Sequence, residues 1–300
     1  MTTTYRGRRV AIGSFVVGSI LAGGNAVGVR FSNYELDPFW GGALRFGLAA
    51  VLMLGVMAVM GVPFPRGRSL RGAIVYGVFN FGGAFAFAYL ALVELHAGFA
   101  QILLSVVPLF TLLLAVLWRQ ERLRPAAIGG TLLALLGIVS MSVDAFEESI
   151  PVPSLLAALG SSLCFAQAAV LVRRFPTAHP VATNAVGMTV GTAVLLLGAL
   201  VAGDRILLPQ QQATWVAIGY LVPVGSLLVF VLYLVVLRYW EASRAAYTFV
   251  VIPIVAVFVS AWLDNEPIGA GIVLGGVLVL AGVYWGALRQ TEPVVAEVTG

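Results

Sequence analysis

In a 300-residue chain 60% of the residues are hydrophobic and only 10% charged, with a mean hydropathy of +1.01. A water-soluble globule carries about a quarter charged residues, so this chain is dissolved in lipid. All 17 basic residues are arginine against 13 acids, for a net charge of +4. With no lysine there can be no G-x-x-x-x-G-K-[ST] phosphate loop, and the single cysteine excludes a disulfide framework and a cysteine metal site.

Ten apolar windows follow one another, each near the ~20 residues that a helix needs to cross the hydrocarbon. They are far longer than barrel strands and lack polar alternation, so the expected fold is an all-α polytopic membrane protein. The first, 10–29, follows Arg6, Arg8 and Arg9 like the front of a signal peptide. It runs on through Gly23 and Gly24 into more apolar sequence and reads as an uncleaved helix carrying Asn25. Window 38–60 holds Arg45, the one formal charge well inside a span. In 70–93, Tyr76, Asn80, Gly83 and Phe87 recur at helical spacing, bordered by Phe79, and are expected to form one stripe. Window 97–118 places Gln101, Ser105 and Pro108 on one face. Then come 125–143 with Gly129, Gly130 and Gly137, 152–172 with Cys164 and Gln167, and 181–202. Window 214–237 carries Pro223, Ser226, Phe230 and Tyr233; 243–263 carries Tyr247, Thr248 and Pro253; 268–288 carries Gly275, Gly276 and Gly282.

Pro108, Glu121, Gly130 and Gly137 recur 145 positions later as Pro253, Glu266, Gly275 and Gly282, so the chain is two copies of one unit, 1–147 and 148–300. With the N-terminus on side one, that side holds fourteen arginines and side two only Arg30 and Arg205. Nine of the thirteen acids fall on side two. The positive-inside rule then puts both termini in the cytoplasm and requires ten transmembrane helices. Five helices per unit invert the second copy, giving two inverted five-helix repeats, the arrangement of carriers with a solute site near the midplane.

The run Ala43-Leu44-Arg45-Phe46-Gly47-Leu48-Ala49-Ala50, the Pro108 helix ending in Glu121, and the helix from Gly129-Gly130 to Gly137-Ile138 resemble the EamA-type module of the drug/metabolite transporter superfamily. The resemblance covers essentially the whole chain. It is most similar to ten-helix bacterial exporters of amino acids, the aromatic amino acid exporters among them, which implies the bacterial inner membrane. It also implies that helices 3, 4, 8 and 9 surround a central cavity.

Polar groups at membrane depth normally face the bundle interior. The expected solute contacts are Tyr76, Phe79, Asn80, Gly83, Phe87, Gln101, Ser105, Phe230, Tyr233, Tyr247, Asn25 and Gln167. Pro108 and Pro253 are expected hinges, since each removes a helical donor. Arg45, Glu121 and Glu266 are expected to be structural, Arg45 by pairing with or snorkelling toward an outer acid such as Glu35 or Asp37, with binding of a substrate carboxylate as its alternative reading. The glycines of helices 5 and 10 are assigned to helix packing. All acids map to helix ends or loops, so no buried proton relay is expected. No cofactor, metal, nucleic acid or enzymatic constellation is expected; the partners are a small-molecule solute and the lipid bilayer, and a monomer is the default. The expected function is alternating-access export of amino acids or similar metabolites with broad specificity. Drugs, nucleosides or quaternary ammonium compounds are the alternative cargo, and a channel or intramembrane enzyme the remote one.

Overall fold

Backbone groups that cannot reach water must bond within their own segment, and here they do so as helices. The computed structural model describes residues 2–120, 125–147, 151–240, 242–245, 248–263 and 269–285, and every regular element among them is helical. In chain order the principal helices are α1 (Arg9–Asn33), α2 (Pro38–Val59), α3 (Gly67–Glu94), α4 (Ala97–Leu117), α5 (Pro125–Glu147), α6 (Val152–Val172), α7 (Pro180–Ala202), α8 (Gln212–Tyr239), α9 (Thr248–Leu263) and α10 (Ala270–Val283). Seven of them, α1 to α4 and α6 to α8, are long and apolar enough to cross a membrane. The apolar stretches in the other three are shorter: Ile128–Gly137, Val251–Leu263 and Ala270–Gly282.

The helices begin and end close to where the apolar windows do, but several are not continuous. At Gly24 α1 breaks, and the Tyr220 hydroxyl, packed against that glycine, donates to the Leu21 carbonyl beside the break. The middle of α3 widens into a π turn over Gly77–Gly83, and α8 does the same over Pro223–Leu228. Their starts lie within one residue of the 145-residue offset, so the two copies share this irregularity. In α4 the helix stops at Leu104 and resumes at Val107, which puts Pro108 in the first turn of the second piece, where its missing N–H costs nothing. Pro253 lies inside α9, so the two expected hinges sit in different local structures.

Close packing comes from absent side chains. A Cβ at Gly77 would lie 2.6 Å from the Gly187 carbonyl, so α3 and α7 meet nearly backbone to backbone. The glycine helices α5 and α10 pack on one another: a Cβ at Gly137 would stand 2.7 Å from the Gly275 carbonyl, and one at Gly282 2.5 Å from the Gly130 carbonyl. Lipid supplies no hydrophobic reward for helix contact, so this proximity and its dispersion energy hold the pair.

Polar ties close both ends. At one end the carboxylate of Asp37 accepts from the Arg205 backbone N–H at 2.7 Å and pairs with its guanidinium at 3.4 Å. Trp40 N–H donates to Asp204 at 2.9 Å, and Glu35 accepts from the N–H groups of Gln210 and Gln211. At the other end Arg173 donates to the Trp240 carbonyl at 2.7 Å, Gln120 to the Val170 carbonyl at 3.1 Å, and Arg174 stacks 4.8 Å from the Trp118 ring. Glu121 and Glu266 lie outside the described residues.

Both outer carboxyls are held below their ordinary range, Glu35 chiefly by the Thr214 hydroxyl and then the Gln210 and Gln211 N–H groups, Asp37 chiefly by the Arg205 N–H. A carboxyl with a depressed folded-state pKa stabilises above its unfolded pKa and loses that contribution as pH falls through the folded one. The protection of the Arg205, Gln210 and Gln211 amides, corrected for their intrinsic exchange rates, is therefore expected to persist through the ordinary carboxyl range and to be lost only at more acid pH. A second expectation concerns the glycine helices: Gly282→Val should destabilise by about 1–3 kcal/mol, read as a lower unfolding midpoint in detergent. Gly129→Ala, whose Cβ would meet only Trp285 at 4.0 Å, should leave the midpoint unchanged.

Candidate functional site

A central cavity with about 80 Å³ of free space lies between α1, α3, α4, α6, α8 and α9. Helices α3, α4, α8 and α9 are those that the family resemblance implies; α1 and α6 join them. Its polar edge consists of Ser14, Asn25, Gln101, Ser161, Tyr233 and Thr248, and none of the described lining residues carries a charge. Along α1 the lining residues Ser14, Gly18, Ala22, Asn25 and Val29 fall at successive helical turns, so small side chains open one whole face of that helix.

The wall is aromatic. The rings of Phe85 and Phe165 meet edge to face at 5.4 Å, Phe85 and Phe230 at 5.8 Å, and Tyr233 and Phe249 at 6.0 Å. Phe165 and Phe249 lie 5.2 Å apart, tilted, so one interlocked set of rings joins α3, α6, α8 and α9. Each ring fixes its neighbour's orientation, which makes the wall a shaped surface for flat apolar groups.

Behind this wall Arg45 is fully buried. Its Nε donates to Ser226 Oγ at 2.9 Å, and its Nη2 to the Gly225 carbonyl at 3.1 Å and Asn25 Oδ1 at 3.2 Å. Its charge also faces the rings of Phe46 at 4.9 Å and Phe85 at 5.0 Å. The acceptors depend on the π turn of α8. There Leu227 N–H reaches back five residues to Val222, and Ser226 Oγ donates to the Leu221 carbonyl at 2.8 Å. Gly225 has to be glycine, because a Cβ there would collide with Asn25 Oδ1 and lie 3.3 Å from Arg45 Nη2. The expected partner for Arg45 was an outer acid; instead Glu35 and Asp37 hold the loop at 204–211, and Arg45 reaches sideways to α1 and α8. Its aliphatic stem starts one turn below Gly41 and Gly42, deep enough that neutral acceptors are nearer than the loop carboxylates.

The residues expected from the sequence separate into two groups. Asn25, Gln101, Phe230 and Tyr233 meet around the cavity. The α3 stripe does not form a single face. Tyr76 is buried against Phe81, edge to face at 5.6 Å, and beside Gly187 of α7, and Asn80 is buried with its Nδ2 lacking a partner. Gly83 instead faces Cys164 of α6, where a Cβ would be 3.1 Å from the sulfur, and Phe87 covers Gly160 and is 40% exposed. The spacing of four, seven and eleven assumes 3.6 residues per turn throughout, and the π turn between Tyr76 and Phe87 rotates the later residues off that line. Phe79 and Gln167 are half-buried and do not line the cavity. Ser105 donates to Ile102 O at 2.6 Å, which satisfies the α4 break. Tyr247 lies outside the described residues. The sequence reading passed over Phe85, Phe165, Phe249 and the small face of α1; the last was visible as Ser14, Gly18 and Ala22 four residues apart.

Comparison with known proteins agrees with this architecture. The profile of the EamA-like transporter family matches twice, over residues 9–143 and 152–287. The chain is similar to the uncharacterized inner membrane transporter YedA of Escherichia coli K12, 25% identical over 278 residues covering 90% of this chain and 89% of that one. It is also similar to a probable amino-acid metabolite efflux pump of Salmonella typhimurium, 24% identical over 88% of this chain and 90% of the relative. A probable terminal-alkyne amino-acid exporter of Streptantibioticus cattleyicolor is 30% identical over 80% of each. A crystal structure of a protein 20% identical superposes with a TM-score of 0.66, covering 93% of this chain and 96% of the other, a likeness of fold.

Ser226 is the neutral partner that holds the Arg45 Nε. Ser226→Ala leaves that buried donor without an acceptor and should cost about 1.5–3 kcal/mol. The check is the unfolding midpoint of the purified protein, which should fall, against Ser69→Ala at the exposed start of α3, which should not move it.

Proposed function

This chain belongs to the EamA-like transporter family and is a membrane transporter, with no catalytic role; on that premise we propose that it exports amino acids and similar small amphipathic metabolites by alternating access. The observation that carries the reading is the central cavity: it is built from helices of both sequence repeats, and its described lining is uncharged and combines aromatic rings with hydrogen-bonding groups. A pocket of that chemistry suits a solute with one apolar group and a few polar atoms.

The mechanism rests on the duplication. Residues 1–147 and 148–300 act as inverted halves of five crossings each, with both termini in the cytoplasm of a bacterial cell and the cavity exposed to one side at a time. The shared π turns and the matched glycine helices support this, because both copies retain the same irregular frame. Rocking one half against the other moves the opening without moving the solute. Pro108 and Pro253 serve as hinges, the first beside the break in α4 and the second within α9.

Asn25, Gln101, Phe230 and Tyr233 contact the solute directly. Tyr76, Phe79, Asn80, Gly83, Phe87, Ser105 and Gln167 shape the helices behind them, and Tyr247 is a further solute contact in this reading. The protein acts as a monomer, the cavity lying within one chain.

Proteoliposomes test the reading. Loaded with amino acids, nucleosides and quaternary ammonium drugs, with and without a pH gradient, they should show saturable, trans-stimulated counterflow for amino acids. Gln101→Leu should raise KM about tenfold through loss of a buried hydrogen bond while kcat changes less. Non-saturable flux, or counterflow confined to nucleosides or quaternary ammonium compounds, would sink the proposal.

A further inference from the structure

The guanidinium of Arg45 is fully buried, yet all three acceptors that it bonds are neutral: Ser226 Oγ, Asn25 Oδ1 and the Gly225 carbonyl. Among the described residues no carboxylate is bonded to it, and a cation away from water normally has a counter-charge. Its structural ties use Nε and Nη2 only. The third nitrogen, Nη1, is buried without a hydrogen-bond partner. Tyr89 lies beside Arg45 and Ser32, close enough to interact with both, and its buried hydroxyl makes no hydrogen bond of normal geometry. Among the described residues neither group meets an anionic acceptor, and one of them is charged. A carboxylate, with two acceptor oxygens and one negative charge, complements both.

We infer that Arg45, with Tyr89, is the point at which this carrier recognises the carboxylate of its solute, so that carboxylate-bearing molecules are moved and organic cations rejected. The assignment names a substrate class for the cavity and rests on the transport reading above. Placement supports it: Asn25 and Phe85 both touch Arg45, and both line the cavity. Asn25 follows the break in α1 at Gly24, so its side chain can be displaced without unwinding a continuous helix. An entering carboxylate takes over the place of Asn25 Oδ1 on Nη2 and adds Nη1, while its apolar part lies on the Phe85, Phe165 and Phe230 rings. Among the described residues no acid lines the cavity to offset the charge of a cationic solute. The site also has no repeat copy. The position 145 residues after Arg45 is Val190, and the one 145 before Ser226 is Phe81, so the charge is not a requirement of the duplicated frame.

L-phenylalanine, 3-phenylpropionate and phenethylamine share one ring and differ in their ionic groups, which makes them suitable probes. Binding of each to the detergent-purified full chain is read as a shift in unfolding midpoint, and counterflow is measured separately in proteoliposomes. The two carboxylates should bind about ten- to hundredfold more tightly than phenethylamine. Arg45→Gln should abolish that preference and Arg45→Lys retain part of it. If neither variant folds, the three probes on the unaltered protein still decide. Equal binding of phenethylamine, no binding of either carboxylate, or an unchanged preference in folded Arg45→Gln would overturn the inference and assign the spare donors to water. Amino acid counterflow without carboxylate preference sinks this inference alone. Carboxylate binding without any counterflow sinks the transport reading alone.

Discussion

Inside a bilayer a helix gains nothing hydrophobic by leaving lipid for another helix, so contact has to come from close fit and from polar groups that lipid cannot satisfy. Both are visible throughout this bundle. Gly77 against Gly187 and Gly137 against Gly275 bring backbones into direct apposition, and a single added carbon would force either pair apart. The polar contribution sits where helices are irregular. Leu21, Leu221 and Ile102 offer carbonyls beside a break or a π turn, and Tyr220, Ser226 and Ser105 respectively donate to them. Irregular backbone at membrane depth is tolerated where freed carbonyls such as these three meet a protein donor.

The two π turns connect this frame to the cavity. In α3 the turn lets Gly77, Gly82 and the Phe81 backbone lie against α7, an apolar contact that includes Val190 and Val194. In α8 the equivalent turn presents the Gly225 carbonyl and the Ser226 hydroxyl to Arg45. One irregularity thus does two jobs in the two copies. The frame is duplicated while its chemistry is not, and a carrier needs both: similar halves allow interchangeable conformations, and unlike linings give the solute one preferred orientation.

A cavity without charge, walled by interlocked rings and bordered by a buried cation, sets the electrostatics of whatever enters. In low dielectric the field of Arg45 is only weakly screened, so its sign reaches the solute even through the Asn25 and Phe85 layer. The neutral acceptors orient the guanidinium without cancelling its charge. The carboxylates Glu35 and Asp37 are instead occupied in tying the 204–211 loop to the start of α2.

Composition was enough to indicate a polytopic, all-helical membrane protein, because lipid leaves few alternatives, while the motifs around Arg45, Pro108, Gly130 and Gly137 carried the family resemblance that the two profile matches bear out. Asn25, Gln101, Phe230 and Tyr233 were also legible, since a polar or amphipathic group at depth tends to face inward. The stripe from Tyr76 to Phe87 was not, because sequence periodicity presumes a regular helix and the π turn over Gly77–Gly83 changes which way later residues point. Nor could the sequence identify the partners of Arg45. Ser226 and Gly225 lie 181 and 180 residues away, and only the folded bundle, by crossing α2 over the widened turn of α8, brings their oxygens within hydrogen-bonding distance.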